Sequence, residues 1–168
     1  MSITPKQIFS NLDLIVSGFF LCITVLVVIV NVALRYLFHG GIFWAEEVAT
    51  TSFIWSVFIG SAAAYRYKMH IGIDLVSRFG PATWRSFVAV VIDLMMFIIN
   101  GYIVYLSILF TNANRLKRTP VLDIPALYVN LALTVGFSLM ALYALGYLYR
   151  DIRILFSSQN DEDKVLAN

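Results

Sequence analysis

Four long stretches of this chain are almost free of charge, and their length constrains the fold more than any other feature. Residues 14–34 carry no charge, 48–65 none, 86–114 only Asp93, and 124–149 none. Crossing a bilayer takes about 20 apolar residues at about 1.5 Å each. Each run is therefore long enough to span, the second if it extends back to Trp44 with its glutamates at the interface. Barrel strands would be shorter, with alternating polarity, and that pattern is absent. With 60% hydrophobic and 13% charged residues, a soluble domain of this size could not hide its apolar surface. The sequence predicts an all-α membrane protein with four transmembrane helices, one domain over residues 1–155 and a polar cytoplasmic tail over 156–168. The tail ends in QNDEDKVLAN and lacks aromatics, so disorder is expected there.

The first run is too long for a signal-peptide core and has no small-residue cleavage site near its end, so it reads as an uncleaved signal anchor. A net charge of +2 gives no reason to expect nucleic acid. Cys22 lies within the first run, can form no intrachain disulfide, and reads as a small core residue.

Basic residues sort by side. Lys6, Arg66, Lys68, Arg78, Arg85, Arg150, Arg153 and Lys164 fall on one face; Arg35, Arg115, Lys117 and Arg118 fall on the other. The excess places both termini in the cytoplasm. Trp44 marks the outer interface, and Tyr65, Tyr67, Trp84 and Tyr149 the inner one. Between the second and third spans, RYKMHIGIDLVSRFGPATW mixes apolar with polar residues. That mixture predicts a short amphipathic helix in the inner headgroups, broken by Gly80-Pro81. There is no internal repeat, so the two-halves pattern of a self-sufficient transporter is missing.

Three groups of residues are candidates for function. At the outer hairpin, NVALRYLFHGGIFWAEEV places Arg35 at the end of one span and Glu46 and Glu47 at the start of the next. Arg35 can snorkel outward or pair with one glutamate. Successive helical residues differ by about 100°, so the glutamates should take different partners. A hairpin clamp, a contact with a partner subunit and a direct solute role all remain open. In the third span, Ser86, Asp93, Asn100, Ser107 and Asn114 recur every seven residues as one polar stripe. Lipid would penalise it, so it should face other helices or a partner. Asp93 has no basic residue in another span to pair with; helix–helix hydrogen bonding, partner or lipid contact and proton relay are its possible roles. Finally, Arg115, Lys117 and Arg118 form a basic outer loop, either a solvated patch or a site for an acidic soluble partner. His39 and His70 lie outside the spans on opposite faces, which excludes a haem held by two histidines between helices. No metal cluster, catalytic triad or phosphate loop appears, so neither cofactor nor enzyme activity is expected. Small residues at 60–64, with Gly136 and Gly146, suit close helix packing.

Three stretches together resemble the small membrane subunit (DctQ/SiaQ-like) of TRAP, tripartite ATP-independent periplasmic, transporters. They are the outer hairpin, GSAAAYRYKMHIGIDLV with Gly60, Arg66, His70 and Asp74, and TPVLDIPALYVNLALTVGF with Pro120 and Pro125. Thr50 and Thr51 stand where members often carry a basic residue, and Thr134 where they often carry proline. The resemblance implies a location in the bacterial inner membrane and a large membrane partner that carries the substrate and sodium sites. It also implies a periplasmic binding protein that delivers an organic anion such as a C4-dicarboxylate or sialic acid. This chain would be a static scaffold, touching its partner through Arg35, Trp44, Glu46, Glu47, Asp93 and Asn100. Arg115, Lys117 and Arg118 would help to dock the binding protein. The rival reading is a small independent proton-coupled exporter built on Asp93.

Overall fold

The computed structural model describes the backbone of residues 11–76 and 82–166, with side chains for 11–67 and 86–155. Among these residues four helices follow one another: α1 Leu12–Phe38, α2 Ala45–Val76, α3 Ala82–Ala113 and α4 Leu127–Leu166. Each contains a segment long and apolar enough to cross a membrane: Leu12–Phe38, Ala45–Tyr67, Ser86–Ala113 and Leu127–Leu155. The four spans are those expected from hydropathy, and helices are what hydrocarbon demands, because each backbone N–H must find its acceptor within its own segment.

Helix ends follow local chemistry. α1 stops where His39 turns into the left-handed region at φ 51°. Gly40-Gly41 then reverses the chain, and Ala45 N donates to Ile42 O as α2 begins. Residues 68–76 are helical, but they continue α2 rather than form a separate helix. Once nucleated, a helix extends at little further cost, so α2 runs on past its span. Gly80-Pro81, Arg78 and Lys6, and the side chains of Lys68, His70, Asp74, Trp84, Arg85 and Lys164, lie outside the described residues. At the other terminus, where the sequence suggests disorder from 156, the backbone of α4 stays helical to Leu166.

The helices form two hairpins side by side. α1 borders α2, α2 borders α4, and α4 borders α3, while α2 and α3 barely meet. The order across the row is therefore α1–α2–α4–α3, an open arrangement rather than a closed four-helix bundle. Few large residues are enclosed. The buried apolar set is mainly alanine, including Ala49, Ala62, Ala63, Ala132 and Ala144, while Phe19, Leu26, Ile98 and Leu142 face outward. This inversion is expected where lipid tails solvate leucine as well as another helix does. Cys22 is exposed as well, so its expected core position is wrong: α1 packs on one neighbour and presents the rest of its surface outward.

Close approach fastens the middle of the row. A Cβ on Gly136 would lie 2.7 Å from Phe58 Cβ and 2.9 Å from Phe58 O, so α4 presses on the backbone of α2. The Phe58 and Phe137 rings meet beside it at 6.0 Å. Between α1 and α2, Ser56 Oγ donates to Ser17 O at 3.0 Å, and the Phe20 and Trp55 rings stack at 5.7 Å. A Cβ on Gly60 would meet only the Ser17 hydroxyl, at 2.7 Å. The expectation of close packing holds for Gly60, Ala62, Ala63 and Gly136. It fails for Ser61 and Ala64, which are exposed, and for Gly146, where a Cβ would meet nothing within 4 Å.

Gly136→Ala should accordingly destabilise the row by about 1–3 kcal/mol, because backbone cannot step aside. Gly60→Ala should cost less, since Ser17 can rotate, and Gly18→Ala, in open space, should be neutral or stabilising. Melting temperatures of the three variants in mild detergent check this order.

Candidate functional site

The polar groups gather at the two ends of the row. At one end, Asp13 sits in the first turn of α1 and is the one buried residue among those described in that helix. Arg66, two residues past the small-residue stretch of α2, places Nη2 2.9 Å from Asp13 Oδ1. Tyr143 from α4 donates its hydroxyl to the other oxygen, Oδ2, at 3.1 Å. Tyr147, one turn further along α4, donates to Arg66 O at 2.6 Å. Tyr67 and Arg66 both donate to Asn11 Oδ1, at 2.6 and 3.2 Å. The guanidinium also lies over the Tyr67 ring at 4.9 Å and near that of Tyr143 at 5.8 Å. One carboxylate and one guanidinium thus bind three helices together. A buried charge is tolerable when paired and hydrogen-bonded; the Asp13 carboxylate meets both conditions, and Arg66 meets them through Nη2 while its Nε is buried without a partner among the described residues.

Arg66 is among the motif residues singled out from sequence; Asp13 and Tyr143 are not. A signal for Asp13 was present. It is an acid at the start of the first span, on the same predicted face as Arg66, where an unpaired carboxylate would be costly.

At the other end, the expected clamp between Arg35 and a glutamate is absent. Among the described residues Arg35 forms no ion pair with Glu46 or Glu47. The turn is held instead by Asn31 in α1, whose Oδ1 accepts Ile42 N–H at 2.9 Å. Glu47 reaches across the row to the loop between α3 and α4, accepting N–H of Val121 at 2.9 Å and of Leu122 at 3.2 Å. Two converging backbone donors suit the two oxygens of a carboxylate, which explains why Glu47 serves the loop rather than Arg35. Glu46, about 100° around the helix, is exposed and lines a groove shared with Arg35. The two glutamates do point to different surroundings: Glu47 binds the loop, while Glu46 faces the groove with no ion pair among the described residues. Trp44 is partly exposed at this end, and its carbonyl accepts Val48 N–H in the first turn of α2.

The loop received by Glu47 has its own structure. Thr119 N donates to Ile124 O and Ala126 N to Lys117 O, both at 2.9 Å, and Asp123 adopts φ 53° at the bend. Arg118 Nη1 is 2.8 Å from Asp123 Oδ2, an exposed pair internal to the loop. Of the basic residues proposed as a docking patch, Arg115 and Lys117 are exposed, while Arg118 also braces the loop.

The seven-residue stripe turns inward. Asp93, Asn100 and Ser107 are buried on the side of α3 that meets α4. Asn100 and Ser107 bond within their own helix rather than across to α4. Asn100 Nδ2 donates to Met96 O and Ser107 Oγ to Val104 O, both on α3 itself at 2.8 Å. Back-bonding one turn earlier satisfies these groups locally. Asp93 is completely enclosed, and its neighbour across the helix pair is another acid, Asp151 of α4, close enough for the two carboxyl groups to share a hydrogen bond when one is protonated. Asp151 falls just beyond the uncharged run, so span length does not single it out. No group of three or more His, Cys, Asp or Glu side chains able to hold a metal occurs among the described residues.

The profile of the DctQ component of tripartite ATP-independent periplasmic transporters matches residues 24–154. The chain belongs to the DctQ family. It is 32% identical over 85 residues to the C4-dicarboxylate TRAP transporter small permease protein DctQ of Vibrio cholerae, an alignment covering 51% of this chain and 37% of that protein. The sialic acid TRAP transporter small permease protein SiaQ of Vibrio cholerae is 21% identical over 150 residues, 89% of this chain and 87% of the relative. A third match, 28% identical over 72 residues, covers 43% of this chain and 12% of the sialic acid TRAP transporter permease protein SiaT of Haemophilus influenzae. A multi-pass inner-membrane protein is the reading that the four spans and this membership support together. Within this DctQ-family chain, the motif residues separate by role: Gly60 faces Ser17 and Arg66 ties three helices, while the side chains of His70 and Asp74 are not described.

Removing one member of the inner tie leaves the other buried and unpaired. Arg66→Met should destabilise the protein by about 3 kcal/mol, read as a lower melting temperature in mild detergent. Glu47→Ala should speed amide hydrogen exchange at Val121 and Leu122 while leaving α1 and the inner end unchanged, because it removes only the acceptor for the loop.

Proposed function

We propose that this chain is a static scaffold subunit of a TRAP transporter, supporting a larger sodium-coupled membrane subunit that moves an organic anion. The observation that carries this reading is the tie at each end of the row. Asp13 and Arg66 join α1, α2 and α4 at one face, and Glu47 joins α2 to the α3–α4 loop at the other. A body fastened at both ends resists internal sliding, which suits an immobile support. Large exposed apolar faces on α1 and α3, the outer members of the row, leave room for a neighbour in the membrane. The match to a short part of the much longer SiaT protein supports an assembly in which such a segment and a larger permease act together.

The relatives' names favour a C4-dicarboxylate or a sialic acid as the anion. With Asp13 and Arg66 at the cytoplasmic end, as the distribution of basic residues favours, the α3–α4 loop faces the periplasm. Arg115 and Lys117 are exposed there to meet a binding protein, with Arg118 shaping the loop. Arg35, Trp44 and Glu46 form the outer rim beside it. The rival exporter reading needs Asp93 to exchange protons with water, yet Asp93 is fully enclosed. Its burial beside Asn100 on the α4 side fits a role in packing α3.

The test is uptake into proteoliposomes with each component omitted in turn. The chain alone should move neither C4-dicarboxylate nor sialic acid and should copurify with the large subunit, while the complete set should transport one of them. Asp93→Asn should leave that uptake within about twofold of the unmodified complex. Transport by this chain alone, or abolition of uptake by Asp93→Asn in an intact complex, would overturn the scaffold reading.

A further inference from the structure

Arg35 and Glu46 both line an open groove at the outer end of the first hairpin, and neither forms an ion pair among the described residues. The polar part of the groove holds about 270 Å³ and is lined by Asn31, Arg35, Gly41, Phe43 and Glu46. A second part of about 330 Å³ shares Asn31, Arg35 and Glu46, then continues toward the membrane interior along Val27, Val28, Val32 and Ala49. The groove therefore carries one positive and one negative side chain at its mouth and an apolar floor below. Arg35 is in the last turn of α1 and Glu46 in the first turn of α2, the depth at which headgroups lie.

We propose that this groove binds a phospholipid with a primary-amine headgroup, its phosphate on Arg35, its ammonium on Glu46 and one acyl chain along Val28 and Val32. The two charges select this occupant. A guanidinium offers a planar fork of donors matched to phosphate oxygens. A carboxylate a short distance away suits an ammonium that can donate hydrogen bonds. An anionic glycerol headgroup would satisfy Arg35 but leave Glu46 facing a like charge. A choline headgroup places methyl groups where Glu46 needs donors. The apolar floor opens onto a surface of α1 where Val25, Val28, Ile29 and Val32 are exposed, a path for the acyl chain. A protein segment would have to supply both complementary charges over an apolar stem, which an aminophospholipid already combines.

Native mass spectrometry of the full-length chain in mild detergent tests this, with phosphatidylethanolamine, phosphatidylcholine and phosphatidylglycerol of identical acyl chains added separately. The unmodified protein should retain phosphatidylethanolamine about tenfold more tightly than either other lipid, the scale of one charge-assisted contact. Glu46→Gln should bring phosphatidylethanolamine and phosphatidylcholine to about equal retention. Arg35→Gln should weaken all three. Gly41→Leu leaves both charges in place, but its Cβ would lie 3.3 Å from Asn31 Oδ1 and 3.7 Å from Arg35 Nε, filling the polar end. It should also remove the preference, and it decides the matter if a charge variant does not fold. Equal retention of the three lipids by the unmodified protein, or unchanged selectivity in Gly41→Leu, would overturn the proposal. Loss of the lipid when the large subunit assembles would assign the groove to a polypeptide instead.

Discussion

Helices in hydrocarbon gain little by hiding leucine from lipid, so contact between them depends on how closely their backbones can approach. The crossing of α2 and α4 shows this dependence. Gly136 lets α4 rest on the Phe58 backbone, and Ala62, Ala63 and Ala132 provide thin surfaces in the same row. Because that contact lies between the two hairpins, it sets the order α1–α2–α4–α3 and with it the position of every polar group at the ends. Tyr143 reaches Asp13 because α4 crosses beside α2. Glu47 reaches Val121 because the α3–α4 loop is carried to the head of α2.

The polar interactions then work as terminal fastenings. Neither is the arginine–glutamate clamp that the first hairpin suggests. The inner one uses an acid from the start of α1, an arginine from the end of the second span and two tyrosines from α4, so three helices meet at one charge pair. The outer one needs no cation, since Val121 and Leu122 offer two backbone donors that would otherwise require water at the membrane rim. Arg35 and Glu46 are consequently free to face the groove, and the polarity of the groove follows from which glutamate the loop took.

Asp93 illustrates how burial and function separate. Its place in a seven-residue stripe identifies a side that must avoid lipid, and that side is buried. The stripe nevertheless satisfies Asn100 and Ser107 on the backbone of α3, and the neighbour of Asp93 is a second carboxyl. Periodicity can identify the face of a helix. It carries no information about whether a hydroxyl or amide on that face bonds to its own turn or to the opposite helix.

Hydropathy and length determined the four spans, because the thickness of the bilayer acts on each segment alone. Residue chemistry likewise set the turn after Phe38, the separation of Glu46 from Glu47, and the motifs by which the chain resembles its family. The tertiary structure alone decided that Asp13 rather than a glutamate receives an arginine, that α2 touches α4 rather than α3, and that Gly146 faces open space while Gly136 does not. The physical reason is range. Lipid acts on each stretch of about 20 residues independently, whereas an ion pair or a backbone contact exists only when two segments distant in the chain arrive at the same depth and angle.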